Sequence, residues 1–253
     1  TAGRARLAVN GEPIVDDWDA WSPGESFFGA GGVERRGSIE LAAGEPVLLE
    51  VHYARAAAPE LAGLRIGLLE PEPFDLLTDA LDVAADADVA IVVVGLDEDW
   101  ETEGSDRADL RLPDPQETLV RRVLEVNPDT IVVLNAGAPI DVSAFRYEAP
   151  AILQLWYPGQ AFGGALADIL TGRAEPGGRL PMTFPERLED HPAFLNHPGE
   201  FGEVRYGEGV FVGYRGFRAL DRTPAFAFGH GLGYARIELE AAEACLDGTG
   251  VRI

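Results

Sequence analysis

VAIVVVGLDEDWETEGSDR, residues 89–107, runs from unbroken apolar residues straight into a cluster of carboxylates. Residues 89–94 are all β-branched except Ala90, the pattern of a strand buried on both faces of a parallel sheet. In open parallel sheets the reactive side chains sit on loops at the carboxyl ends of the strands. The loop after this strand holds Asp97, Glu98, Asp99, Glu101, Glu103 and Asp106.

The flanking segments extend the α/β pattern. PFDLLTDALDVAADAD (73–88) sets Phe74, Leu77, Leu81 and Ala84 at helical spacing. Asp114-Pro115-Gln116-Glu117 reads as a helix start, with Asp114 as cap, proline at the first position and glutamate at the third. LVRRVLEVN (119–127) continues that helix. TIVVL (130–134) and AILQLW (151–156) read as two further buried strands, and GQAFGGALADILTG (159–172) as a helix ended by Gly172. The alternation predicts an α/β fold, a mostly parallel sheet with helices on both faces, that is, an α/β sandwich.

Upstream, residues 1–70 read as β. ARLAVNGEPIVDDW (5–18) places apolar stretches either side of Asn-Gly, a hairpin signal. SIELAAGEPVLLEVHYA (38–54) repeats the scheme around Gly-Glu-Pro, and GLRIGLLEP (63–71) supplies another strand. This predicts a partial β-sandwich segment before the α/β domain. After residue 173 the chain turns rich in proline and glycine. AFAFGHGLGYARIELEAAEA then reads as a connector into the start of a second β-module. Thr1 in place of a methionine and a strand-like stretch at Ile253 read as cut ends, so a segment of a longer protein is expected.

Composition excludes several chemistries. The net charge is −23, and all 20 basic residues are arginine. Without lysine the chain can supply no P-loop lysine, kinase-type lysine or Schiff base. So acidic a surface repels nucleic acid and anionic membranes, and suits a neutral substrate better than a phosphorylated one. No run of 18 apolar residues occurs to span a membrane. Cys245 is the single cysteine, so no internal disulfide and no multi-cysteine zinc site is expected.

The residues alone leave three readings of the acidic loop open: a solvated surface, a calcium site, or a carboxylic acid that does chemistry. The EF-hand template fails, because Gly104 is misplaced and the twelfth position counted from Asp97 is Ala108. Glycoside cleavage needs one carboxyl group to donate to the leaving oxygen and another opposite it. A glutamate beside Trp100 and other acids has a setting in which its pKa can rise to suit that task. His52, His191, His197 and His230 show no metal-ligand spacing, so no metal and no cofactor is expected. Ser105 lies in EGSDR, without the flanking glycines of a nucleophile elbow. GQAFGG is not a dinucleotide fingerprint, which leaves a nucleotide-binding or receiver-like domain with only the sheet pattern behind it.

Four separated blocks, in order, carry a resemblance. VAIVVVGLDEDWETEGSDRADLRLP is followed by VVLNAGAPIDV, by AILQLWYPGQAFGGALADILTGRAEPGGRLPMTFP, and by GYRGF with FAFGHGLGYARIEL. Together, over about residues 75–238, they resemble the C-terminal α/β domain of glycoside hydrolase family 3, the β-glucosidase family. Residues 1–72 resemble the end of an inserted protective-antigen-like β-domain, and residues 236–253 the start of a fibronectin type III-like domain. The α/β domain would then span residues 73–235.

The resemblance implies a retaining, exo-acting β-glycosidase that works by double displacement on a β-linked glucoside or oligosaccharide. It places the nucleophilic aspartate in a preceding barrel domain outside this chain, so the segment alone should be inactive. It assigns the general acid/base to Glu103, with Glu101 as runner-up. Ser105 stands where the family often has tyrosine. Trp100 is a candidate to stack on a sugar, and Gly104 gives the turn after Glu103. Asp106 is expected to pair with Arg107, while LNAGAP and WYPGQ read as tight turns supporting the sheet. Tyr214 and Arg215 read as packing or interdomain contacts. Trp18, Trp21, Phe27 and Phe28 are aromatic candidates for roofing a substrate entrance. The rival from another class is a non-catalytic carbohydrate-binding or scaffolding module.

Overall fold

The computed structural model describes residues 1–24, 31–55, 62–70, 75–104, 106–236, 238 and 241, and the backbone of 245–247 and 250–252. The protein forms two compact units, Thr1–Pro73 with Glu103–Asp106, and Phe74–Thr102 with Arg107–Ile253.

In the first unit β1 (Gly3–Val9), β2 (Glu12–Asp16) and β3 (Leu49–Arg55) form an antiparallel sheet ordered β2-β1-β3. Asn10 and Gly11 both take positive φ, 50° and 82°, as the tight turn of a two-residue hairpin requires. The Tyr53 hydroxyl donates to the Ala2 carbonyl at 2.7 Å and accepts from the Gly63 N–H at 3.1 Å. Two expected strands are missing. Residues 38–48 turn at Gly44 without a ladder, and from 63–70 only Gly63 makes an isolated bridge, to Ala2. Leu64, Ile66, Leu68 and Leu69 stand exposed. A strand needs a neighbour for its N–H and C=O groups, and among the described residues none lies beside 64–70.

The second unit runs α1 (Leu76–Asp86), β4 (Ala90–Gly95), α2 (Gln116–Val126), β5 (Thr130–Asn135), β6 (Ala151–Gln154), α3 (Phe162–Leu170) and α4 (Tyr214–Ala219), with a hairpin of β7 (Cys245–Asp247) and β8 (Gly250–Arg252). The order β4-β5-β6 is parallel throughout, as the apolar runs foretell. Val92, Val94, Val132 and Leu134 meet Val120, Val123 and Leu124 of α2 in the core. Ile140, Val142 and Phe145, from the turns between β5 and β6, complete it. The α/β class holds, but burial on both faces does not hold for β4. Ile91 is 50 % and Val93 57 % exposed, whereas Val133 on the central strand is fully buried. An edge strand lacks the flanking cover that the middle strand has, and the apolar run alone cannot reveal which position a strand takes.

The start of α2 also differs from expectation. Pro115 occupies the cap position, Gln116 is the first helical residue, and no side chain caps the helix, so Asp114 is not its cap. Gln116 instead turns to the end of β4, where its amide donates to the Gly95 carbonyl at 3.0 Å and its oxygen accepts from the Gly95 N–H at 2.7 Å. Glu117 keeps the favourable place in the first turn. Phe74, expected on α1, lies outside the described residues.

The C-terminal ends of α1 and α2 are joined by Asn127. Its buried amide donates to the carbonyls of Ala84 and Ala87, both at 2.9 Å, and its oxygen accepts from the Asp129 N–H at 2.9 Å. Asn127→Ala strands these groups and is expected to lower unfolding free energy by about 2–4 kcal/mol. The check is a urea titration, in which the midpoint should fall without a change in slope.

Candidate active site

The loop after β4 is shaped by Asp97. Its backbone carbonyl accepts from the N–H groups of Trp100 and Glu101, at 3.1 and 2.8 Å, and its carboxylate accepts from the Asp99 N–H at 3.0 Å. This is an Asx turn, in which a short acidic side chain stands in for backbone. One member of the acidic cluster therefore builds the loop.

Glu101 has a second structural task. Its Oε2 accepts from the Gly137 N–H at 2.8 Å and from the Tyr157 hydroxyl. Its Oε1 lies 4.0 Å from the Arg107 guanidinium, and the two side chains are only 15 % and 12 % exposed. Gly137 belongs to LNAGAP after β5, and Tyr157 to WYPGQ after β6. These turns, expected only to support the sheet, thus also hold the Glu101 carboxylate, and Gln154 ties them together by donating to the Ala136 carbonyl at 2.8 Å.

Tyr157 was missed by sequence reasoning. The available signal was an aromatic hydroxyl three residues past the end of β6. Trp156 before it takes a left-handed φ of 59° and packs edge-on against Phe184, with ring centroids 6.2 Å apart. That rare conformation turns the chain just before Tyr157. The Tyr157 oxygen also lies 3.1 Å from the Leu96 carbonyl. With Asn135, Pro158, Gly159 and Phe162 it lines a small cavity of about 220 Å³ at the carboxyl edge of the sheet. Burial first, then the bond and charge of Glu101, push its pKa up to about 12.

Arg107 donates to the carbonyls of Pro139 and Arg111, at 3.4 and 3.5 Å. Burial pulls its pKa down, and Glu101, Asp109 and Tyr157 oppose that pull. Arg107 faces the carboxylate of Glu101, six residues upstream, at 4.0 Å.

Glu103 is exposed, and among the described residues it has no hydrogen bond or ion pair. Gly104 follows at φ 85°, a value that favours glycine and turns the chain sharply. Trp100 is 43 % exposed. Among the described residues no three histidine, cysteine, aspartate or glutamate side chains gather as a metal site. His191 Nδ1 accepts from the Ala193 N–H, and His230 packs on Phe226. Ser105, Phe27 and Phe28 lie outside the described residues. Trp18 packs under Arg6, and Trp21 donates to the Thr1 carbonyl. Tyr214 stacks on Phe228 at 5.1 Å, and both Tyr214 and Arg215 line a second cavity of about 420 Å³.

The family model for the glycosyl hydrolase family 3 C-terminal domain matches residues 38–234. The chain belongs to glycosyl hydrolase family 3. A PA14 domain matches residues 2–72, overlapping the first match. A β-glucosidase from Rhizobium radiobacter is 41 % identical over all of this chain, which spans 32 % of that relative. The crystal structure of a β-glucosidase from Kluyveromyces marxianus in complex with glucose has a TM-score of 0.86 and 36 % identity over 98 % of this chain and 30 % of that one. A β-glucosidase from Streptomyces venezuelae in complex with D-glucose gives a TM-score of 0.67 and 29 % identity, covering 99 % and 30 %. The chain thus spans about a third of the length of these relatives.

The Tyr157 phenol is expected to stay protonated well past pH 10. Because its folded pKa is raised, the folded state holds the proton more tightly, and stability is full below about pH 10 and falls as pH rises toward about 12. Comparing ultraviolet tyrosine titrations of the protein and its Tyr157→Phe variant checks this. The difference curve should show one late-titrating phenol.

Proposed function

We propose that this chain is part of a retaining, exo-acting β-glucosidase and that Glu103 is its general acid/base. The observation that carries the reading is the contrast between two glutamates one residue apart. Glu101 is engaged by Gly137, Tyr157 and Arg107, while Glu103 is exposed and unengaged among the described residues. An acid/base must approach the glycosidic oxygen, donate a proton in the first step and accept one from water in the second. A carboxylate already accepting two hydrogen bonds is poorly suited to that exchange, and an unengaged one is suited to it. Glucose in the Kluyveromyces relative and the β-glucosidase names of the other relatives support a β-linked glucoside as substrate.

The nucleophile then belongs to a barrel domain outside this chain. We further propose a boundary near residue 72 between the PA14-like segment and the α/β domain, and the start of a fibronectin type III-like domain from 236. Trp100 is proposed as a sugar-stacking side chain on account of its exposure beside the loop.

The test uses the full-length parent carrying Glu103→Ala and an aryl β-glucoside with a good leaving group. Glycosylation needs little acid help with such a substrate, so the variant should stall at the glycosyl-enzyme. Azide should restore turnover and yield a β-glucosyl azide. Full activity without azide would remove the assignment, and an inactive parent that binds sugar would favour a non-catalytic module. The isolated chain, lacking a nucleophile, is expected not to hydrolyse aryl β-glucosides at all. Turnover by the purified segment would contradict the two-domain site.

A further inference from the structure

The Glu101 carboxylate joins the loop after β4 to the turns after β5 and β6. Oε2 receives two donors from two different strand-end turns, a backbone N–H after β5 and a phenol after β6. Oε1 faces a nearly buried guanidinium. Asp97 fixes the entry to the loop, and Glu101 fixes the residue at which its ordered turn ends. Two residues of chain span at most about 7 Å, so the backbone of Glu103 is confined to a short radius around this anchor.

We propose that Tyr157, acting through Glu101, is a positioning residue for the Glu103 carboxyl during proton transfer. This rests on the reading of Glu103 as acid/base. The phenol is suited to the role because it carries one proton and faces two acceptors, the Glu101 carboxylate and the Leu96 carbonyl. It stays protonated across the pH range in which a carboxylic acid works, so its donation does not lapse as pH changes. Glu101 is thereby an anchor, and the loop's two glutamates have separate tasks. Displacing a reacting group by about 1 Å costs on the order of 100-fold in rate, so an anchor two residues away is a sensitive control.

The test is made in the full-length parent with Tyr157→Phe, which removes one oxygen atom and leaves the ring. Values of kcat/KM are compared for β-glucosides of graded leaving-group acidity. An alkyl glucoside needs a proton on its leaving oxygen, whereas a dinitrophenyl glucoside does not. The expected result is a fall of about 10- to 100-fold for the alkyl glucoside and less than about 3-fold for the dinitrophenyl glucoside. Glu101→Gln, which keeps an acceptor in place, should fall less than Glu101→Ala and reports independently if Tyr157→Phe folds poorly. A loss of equal size across all leaving groups, or no loss, overturns the proposal, because a purely structural residue lowers the active fraction for every substrate alike. Azide rescue of Glu101→Ala would make Glu101 itself the acid/base and overturn it too. Failure of azide to rescue Glu103→Ala would instead remove the reading on which it rests.

Discussion

The in-register ends of β4, β5 and β6 are the constraint on which the rest depends. Gly95 lies opposite Asn135, and Leu134 opposite Gln154, so three strands deliver their loops to one edge. The approach at Gly95 is so close that a Cβ there would stand 1.9 Å from the Asn135 carbonyl oxygen. Only glycine fits, and the next N–H, that of Leu96, then bonds that same carbonyl at 3.0 Å. From this fixed exit the Asp97 turn forms and Glu101 reaches the two neighbouring loops. A one-residue slip of β4 would reverse its core face and move the loop away from Gly137 and Tyr157.

The acidic loop is a division of labour among carboxylates that look alike in sequence. Asp97 shapes backbone and Glu101 binds neighbouring turns, while Glu103, two residues on, has no such employment among the described residues. Their hydrogen-bond partners separate them. A surface with net charge −23 suits an uncharged sugar and disfavours a phosphorylated one.

Much of the architecture was legible in the chain. Valine-rich runs announced the parallel strands, Asn10-Gly11 announced its hairpin, and Gly172, at φ 72°, closes α3 as expected. What was illegible depended on neighbours distant in sequence. The exposure of Ile91 and Val93 follows from β4 being an edge, which an apolar run does not encode. Gln116, written as an ordinary early helical residue, serves Gly95 some twenty positions away. Tyr157 is 56 residues from Glu101, and only the strand register brings the two together. The acid/base assignment came from the resemblance of the loop, and the residues by themselves had left it open.

The central claim is that Glu103 exchanges the proton and Glu101 holds the loop. The most direct measurement is the pH dependence of kcat/KM in the full-length parent, compared with Glu103→Gln and Glu101→Gln, using a glucoside whose poor leaving group needs the proton. The acid/base of the free enzyme produces the alkaline limb of that profile. The account predicts that the limb disappears in Glu103→Gln and persists in Glu101→Gln. A limb that survives in Glu103→Gln but vanishes in Glu101→Gln would contradict it.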